Sequence, residues 1–251
     1  MSTQTSIEWT QLTWNPTTGC SKVSPGCANC YAEAMCRRLS AMGMKGYENG
    51  FKVTLHPDRL GDPLTRRKPS VYFVNSMSDL FHEDIPDSFI KAILGVMWQT
   101  PWHTFQVLTK RSQRMASFFT DQSAPPNAWL GVTVEDRLHG APRIQHLRNV
   151  PCSVRFVSME PLLEDVGDVD LSGISWVIVG GESGPRARQM KPDWALNVRR
   201  QCEEWQVPFF FKQWGQWGAD GKKRHKRDNG RQLLGQTWDE FPHPAGSLVP
   251  V

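Results

Sequence analysis

VYFVNSMSD, residues 71–79, is a short apolar run that turns polar as soon as it ends. Val71 to Asn75, rich in β-branched and aromatic side chains, reads as a strand buried on both faces. Asn75, Ser76 and Asp79 crowd its C-terminal end. The same figure recurs along the chain. Thr104–Leu108 runs into Thr109, Lys110 and Arg111, and Trp129–Val134 carries Thr133 into Glu135. Ser153–Ser158 leads to Glu160, Trp176–Val179 to Glu182 and Ser183, and Pro208–Lys212 to Gln213. Phe51–Leu55 and the region Ile7–Thr13 are weaker strand candidates. Helical patterns fall between them at Ala28–Ala41, Asp87–Gln99, Ser112–Thr120, Arg137–Leu147 and Asp193–Trp205, the last entered through Pro192. Such alternation predicts βα units and a parallel sheet. Polar residues gathered after strand ends would converge on the C-terminal rim of a (β/α) barrel, where such enzymes carry their chemistry. The expected fold is therefore α/β: a complete or partial (β/α) TIM-type barrel with an N-terminal cysteine loop and a basic C-terminal tail.

With 251 residues and 39% hydrophobic composition, the chain can bury a full core. It has no apolar run of about 18 residues, which argues against a membrane span. Met1 to Thr10 is polar and lacks the pattern of a secretion signal, so a cytoplasmic setting is expected. There, thiols stay reduced, and six cysteines suggest ligands or packed thiols before bridges. The net charge of +4 is modest but unevenly spread, with Lys222, Lys223, Arg224, Lys226, Arg227 and Arg231 opposed by Asp228. Composition shifts near Gly218, which divides the chain into an expected barrel domain, residues 1–217, and a basic extension, residues 218–251. Either a solvated tail or a nucleic-acid contact fits that basic stretch.

The strongest local signal is WNPTTGCSKVSPGCANCYAE, residues 14–33. Cys20, Cys27 and Cys30 are spaced C-x6-C-x2-C among Pro16, Gly19, Pro25 and Gly26, a composition suited to a tight loop that wraps an object. Thiolates suit iron–sulfur clusters or zinc. Three on a [4Fe–4S] cluster leave one iron open to the amino and carboxylate groups of S-adenosylmethionine, whose carbon–sulfur bond an electron can then break. A structural zinc site instead needs four ligands, and His56 or His82 could supply the fourth. Spacing alone leaves both open. Cys36, Cys152 and Cys202 lack neighbours at ligand spacing and read as structural.

WNPTTGC-x6-C-x2-CYAE, followed by VNSMSDLFHEDIP, LTKRSQRM, GVTVE, SMEPLL, VIVGGESG and FFFKQWG, resembles a phage-associated family of three-cysteine proteins that is similar to the radical S-adenosylmethionine superfamily. The blocks occur in order over most of Ile7 to Gly218. The resemblance implies a [4Fe–4S] cluster on Cys20, Cys27 and Cys30, S-adenosylmethionine as cosubstrate, and an external one-electron donor. The first cysteine gap is six residues where the superfamily usually has three, and Asn29 stands where it usually has an aromatic residue. The first departure leaves open which carbon–sulfur bond breaks.

Around that centre, Asn75, Ser76 and Asp79 are candidates for the methionine or ribose end, and Glu160 for ribose or substrate. Lys110 and Arg111 are candidates for the cosubstrate carboxylate or a phosphate. Gly180, Gly181, Glu182 and Ser183 form a Gly-rich turn after a buried strand that would let backbone approach the ligand. DNA or RNA is the expected substrate class, by modification or, by analogy with a superfamily lyase, repair of a pyrimidine photolesion. The alternative of another class is a zinc-stapled nucleic-acid-binding protein without catalysis.

Overall fold

The computed structural model describes residues 3–242. Its strands are β1 (Thr3–Gln4), β2 (Leu12–Trp14), β3 (Thr17–Thr18), β4 (Thr54–Leu55), β5 (Val71–Val74), β6 (Thr104–Thr109), β7 (Ala128–Thr133), β8 (Val154–Met159), β9 (Trp176–Gly180) and β10 (Phe209–Gln213). Helices α1 (Tyr31–Ala41), α2 (Asp62–Thr65), α3 (Asp87–Gln99), α4 (Ser112–Phe118), α5 (Arg137–Arg148), α6 (Pro192–Glu204) and α7 (Lys226–Asn229) lie between and after them. The sheet order is β1-β2-β5-β6-β7-β8-β9-β10, antiparallel at β1/β2 and parallel everywhere else. Among the described residues β1 and β10 do not pair, so the sheet is open and the complete form of the expected barrel is not present. Instead, the free edge of β10 is covered by Trp238–Glu240, through Phe211 N–H to Trp238 O and Glu240 N–H to Phe209 O. The weak strand signal at Phe51–Leu55 yields only β4, which pairs with β3 outside the main sheet. Residues 243–251 of the expected basic extension lie outside the described residues.

Strand alternation sorts the side chains into two cores. One face of the sheet, with Tyr72, Val74, Val107, Leu130, Val157 and Val179, packs against Ile93, Met97, Leu147 and Val198 of the helices. The other face carries Phe73, Trp129, Phe156, Trp176 and Phe210, joined by Trp9 and Phe241. Trp176 is the hub of this aromatic floor, with ring centroids 5.8 Å from Phe156, 5.9 Å from Phe210 and 5.1 Å from Phe241. Further along β5, β8 and β10 the same face turns polar: Asn75 follows Phe73, Ser158 and Glu160 follow Phe156, and Lys212 follows Phe210. The floor thus seals one end of the sheet interior and leaves the polar crown at the other. No described helix is long and apolar enough to cross a membrane.

Gly131 makes room for this floor. A Cβ there would sit 2.5 Å from Cζ of Phe156, a contact that must push either the ring or the central strand β7 aside. Gly131→Ala is expected to cost about 1–3 kcal/mol by overpacking. The check is a lowered urea midpoint at unchanged slope; an unaltered midpoint would mean the floor is looser than its ring contacts indicate.

Candidate active site

Cys20, Cys27 and Cys30 lie on one loop that crosses the polar rim. Its start is pinned by backbone pairing: Gly19 N–H donates to Met77 O (3.0 Å) and Cys20 N–H to Phe51 O (3.1 Å). Gly19 has φ +84°, and a Cβ on it would meet Lys52 O at 2.1 Å, so only glycine fits. From there the loop is tied to the ends of four of the strands. After β6, Arg111 donates to Cys20 Sγ (3.4 Å), to Ser21 O (3.2 Å) and to Ser21 Oγ (2.8 Å). Two residues after β7, Glu135 accepts from Ser24 Oγ, and the backbone of Gly26 runs so close that a Cβ would sit 2.4 Å from its Cγ. After β9, Glu182 accepts from Asn29 Nδ2 (3.1 Å), and Arg188 donates to Pro25 O (3.0 Å). Beyond β5, Ser76 O accepts from Tyr31 Oη.

These ties explain why α1 starts at Tyr31 and not at Ala28. Asn29 is held outward by Glu182 and by Arg186 O (2.9 Å), so Pro25–Cys27 closes as a separate turn, with Ala28 N–H donating to Pro25 O. Cys30 is left at the helix cap with ψ 122°, outside the helix. All three loop thiols are partly exposed and unbridged, whereas Cys36 and Cys202 are fully buried. Burial, with the charge of Asp79, pushes the Cys20 thiol up to about 11 against the opposing pull of Arg111.

The rim residues divide by what already occupies them. Asp79 accepts from Thr109 Oγ1 (2.6 Å), Lys110 N–H (3.0 Å), Phe81 N–H (3.0 Å) and Arg111 (3.3 Å). Glu182 takes Arg188 through Nε (2.9 Å), Nη2 (2.5 Å) and backbone N–H (2.8 Å). Burial alone would raise the Glu182 carboxyl, but the hydrogen bonds from Arg188 and Asn29 hold it below the ordinary glutamate value. Both carboxylates therefore hold rim and loop together. Gly181 is needed for packing, since a Cβ would lie 2.0 Å from Trp214 O. Ser76 Oγ bonds Asn15 (3.2 Å), and Ser183 Oγ accepts from Gln213 Nε2 (3.1 Å).

The polar groups left over face the interior. The side-chain amide of Asn75, 3% exposed and at φ +58°, has no hydrogen-bond partner on either atom, and neither has Ser158 Oγ, 1% exposed. Beside them Lys212 Nζ meets both Glu160 oxygens (2.7 and 2.9 Å), and Gly180 gives the Glu160 carboxyl room, its absent Cβ position 3.3 Å from Cδ. Lys110 Nζ stands 3.7 Å from Glu135. Unpaired buried polar atoms cost free energy unless a partner arrives. Asn75 and Ser158 thus carry unpaired polar atoms at the C-terminal ends of β5 and β8, on the face of the aromatic floor. Sequence reading did not single out Ser24, Arg143 or Arg188.

Among the described residues no three His, Cys, Asp or Glu side chains converge at metal-ligand geometry. The donor set still discriminates. The loop offers sulfur alone, and the histidines considered for a fourth zinc ligand are engaged: His56 Nε2 with Thr18 Oγ1 (2.8 Å), and His82 Nε2 with Ser21 Oγ (2.8 Å) while its Nδ1 accepts from Asp84 N–H (3.1 Å). A soft three-thiol set without a spare fourth ligand fits an iron–sulfur cluster with one open iron better than tetrahedral zinc.

Residues 4–242 match the model of a family described as protein of unknown function (DUF5131). No curated protein matches the sequence. Among solved structures, the chain is similar to a cysteine-to-serine mutant of spore photoproduct lyase, at TM-score 0.51 and 14% identity, over 98% of this chain and 78% of that one. It is also similar to spore photoproduct lyase complexed with dinucleoside spore photoproduct, at TM-score 0.46 and 9% identity. That second match covers 79% of this chain, and the chain spans 64% of the length of that protein. At 14% identity the first of these likenesses is one of fold alone.

Proposed function

The chain belongs to the DUF5131 family, and from its own site we propose that it is a radical S-adenosylmethionine enzyme acting at the rim of a partial (β/α) barrel. The observation that carries this reading is one loop of three free thiols, tied to the ends of four strands (β5, β6, β7 and β9), over an interior with unpartnered polar atoms. The fold shared with a spore photoproduct lyase supports it. A [4Fe–4S] cluster on Cys20, Cys27 and Cys30 would supply one electron and an open iron for S-adenosylmethionine, whose carbon–sulfur bond is cut to give a carbon radical.

The chain's own residues would do the rest. Arg111, Glu135, Glu182 and Arg188 fix the loop, and the hydrogen bond from Arg111 to Cys20 Sγ tunes that ligand. Asn75 and Ser158 offer the amide and hydroxyl for the polar end of the cosubstrate, and Lys110 a cation for its carboxylate. The Glu160–Lys212 pair sits where the adenosine or the substrate would end. The aromatic floor around Trp176 keeps water from entering the interior from below, which protects a radical from quenching.

Anaerobic protein reconstituted with iron and sulfide is expected to be brown. After dithionite reduction it is expected to convert S-adenosylmethionine to 5′-deoxyadenosine or methylthioadenosine. Chromatography of the products decides both cleavage and its direction. A colourless, zinc-loaded protein with no cleavage would overturn the reading.

A further inference from the structure

The loop that holds the cysteines in place also borders the most basic ground on the molecule. Gln216–Arg224 folds as a hairpin against the loop after β9, through Gln216 N–H to Glu182 O (2.9 Å), Trp217 Nε1 to Ala187 O (2.7 Å) and Lys223 Nζ to Pro185 O (2.5 Å). That same loop grips the cysteine loop at Pro25 and Asn29. Segments 182–191 and 218–231 together hold nine Lys and Arg against three Asp and Glu, whereas the whole chain is only +4. The remainder of the protein is therefore net acidic, and its positive charge is concentrated on this ridge. Arg186, Lys222 and Arg227 are exposed and, among the described residues, make no side-chain salt bridge, although the Lys222 N–H donates to Asp220 (3.1 Å). Arg224 is neutralised by Asp220 (2.6 Å).

We propose that this ridge binds the phosphodiester backbone of a nucleic-acid strand and lays it across the mouth of the cysteine loop. The assignment deepens the reading of that loop as the reactive centre and names its substrate class. Clustered cations on an otherwise acidic body attract a polyanion, and guanidinium forks match phosphate oxygens. The ridge is not a closed salt-bridge network: Arg188, Arg224 and Arg231 are paired with Glu182, Asp220 and Asp239, but among the described residues Arg186, Lys222 and Arg227 form no salt bridge. Its position directs the strand: an anion held by Arg186 lies next to the backbone that fixes Asn29, beside Cys30.

The test is fluorescence anisotropy of labelled single-stranded DNA of about 16 nucleotides, using the full chain, both reconstituted and metal-free. With four phosphates neutralised, affinity is expected to fall about 50-fold between about 50 and 200 mM salt. R186E/K222E/R227E is expected to lose at least about tenfold in affinity at low salt and to flatten the salt slope by about 2. The milder R186Q/K222Q/R227Q serves if the first variant misfolds by circular dichroism. R67E/K68E/K91E reverses exposed charges on the β5–β6 side of the molecule and should bind as wild type. Absence of binding, equal loss in that control, or displacement of DNA by polyglutamate at equal charge would each overturn the proposal. A colourless reconstituted protein that still binds DNA through the ridge would instead refute the cofactor reading alone.

Discussion

Cys27→Ala, reconstituted without oxygen, is expected to stay colourless and to release neither 5′-deoxyadenosine nor methylthioadenosine, while keeping the wild-type circular dichroism spectrum and urea midpoint. The separation of function from stability follows from where the thiol sits. Cys27 ends a short turn on a partly exposed loop, and among the described residues its side-chain neighbour at hydrogen-bond range is Ser24 Oγ at 3.9 Å. Nothing in the core leans on it. A two-thiolate loop, by contrast, cannot hold a four-iron cluster with a single open iron. Cys36 provides the opposite case. It is fully buried with Ala32 and Met77, so Cys36→Ala should keep colour and turnover and lose about 1–2 kcal/mol of stability. If Cys27→Ala retained colour, or if Cys36→Ala lost it with the fold intact, the ligand set would be assigned wrongly.

How much of this could be read from the sequence depended on how local the signal was. The buried strands are legible because they are contiguous apolar runs, and each is present within a residue or so of its expected bounds. The gathering of polar residues after them was legible for the same reason. Closure was not: whether β10 meets β1 depends on the shear of the whole sheet, and Trp238–Glu240 takes the edge from far along the chain. Within the site, spacing exposed the thiols but not what holds them. Glu182 looked like a ligand for a cosubstrate because it follows two glycines. Its oxygens take Arg188, six residues on, and Asn29, which approaches from the opposite side of the loop. Arg143 left one trace. It shares the inward helical face of Gly140, Ile144 and Leu147, an i, i+3, i+4, i+7 pattern in which a lone arginine signals a buried partner.

That partner is Glu135, whose replacement by methionine is expected to have the largest effect on stability. Glu135 is 0% exposed and pairs with Arg143 Nη1, which among the described residues otherwise donates to Thr133 O at 2.8 Å. Removing the carboxylate strands a buried guanidinium, a loss of about 3–5 kcal/mol. Replacing both partners removes the stranded charge, so Glu135→Met with Arg143→Met should recover most of that stability. Neither protein regains the acceptor for Ser24 Oγ, however, and Gly26 loses the side chain it packs against. The double variant should therefore unfold near the wild-type urea midpoint yet give up its iron to a chelator faster than wild type. The two readouts separate because Glu135 performs two jobs: it neutralises α5 from within, and it holds the middle of the cysteine loop onto β7. Wild-type iron retention in the double variant would show that Arg111 and Glu182, at the two ends of the loop, are sufficient to hold it.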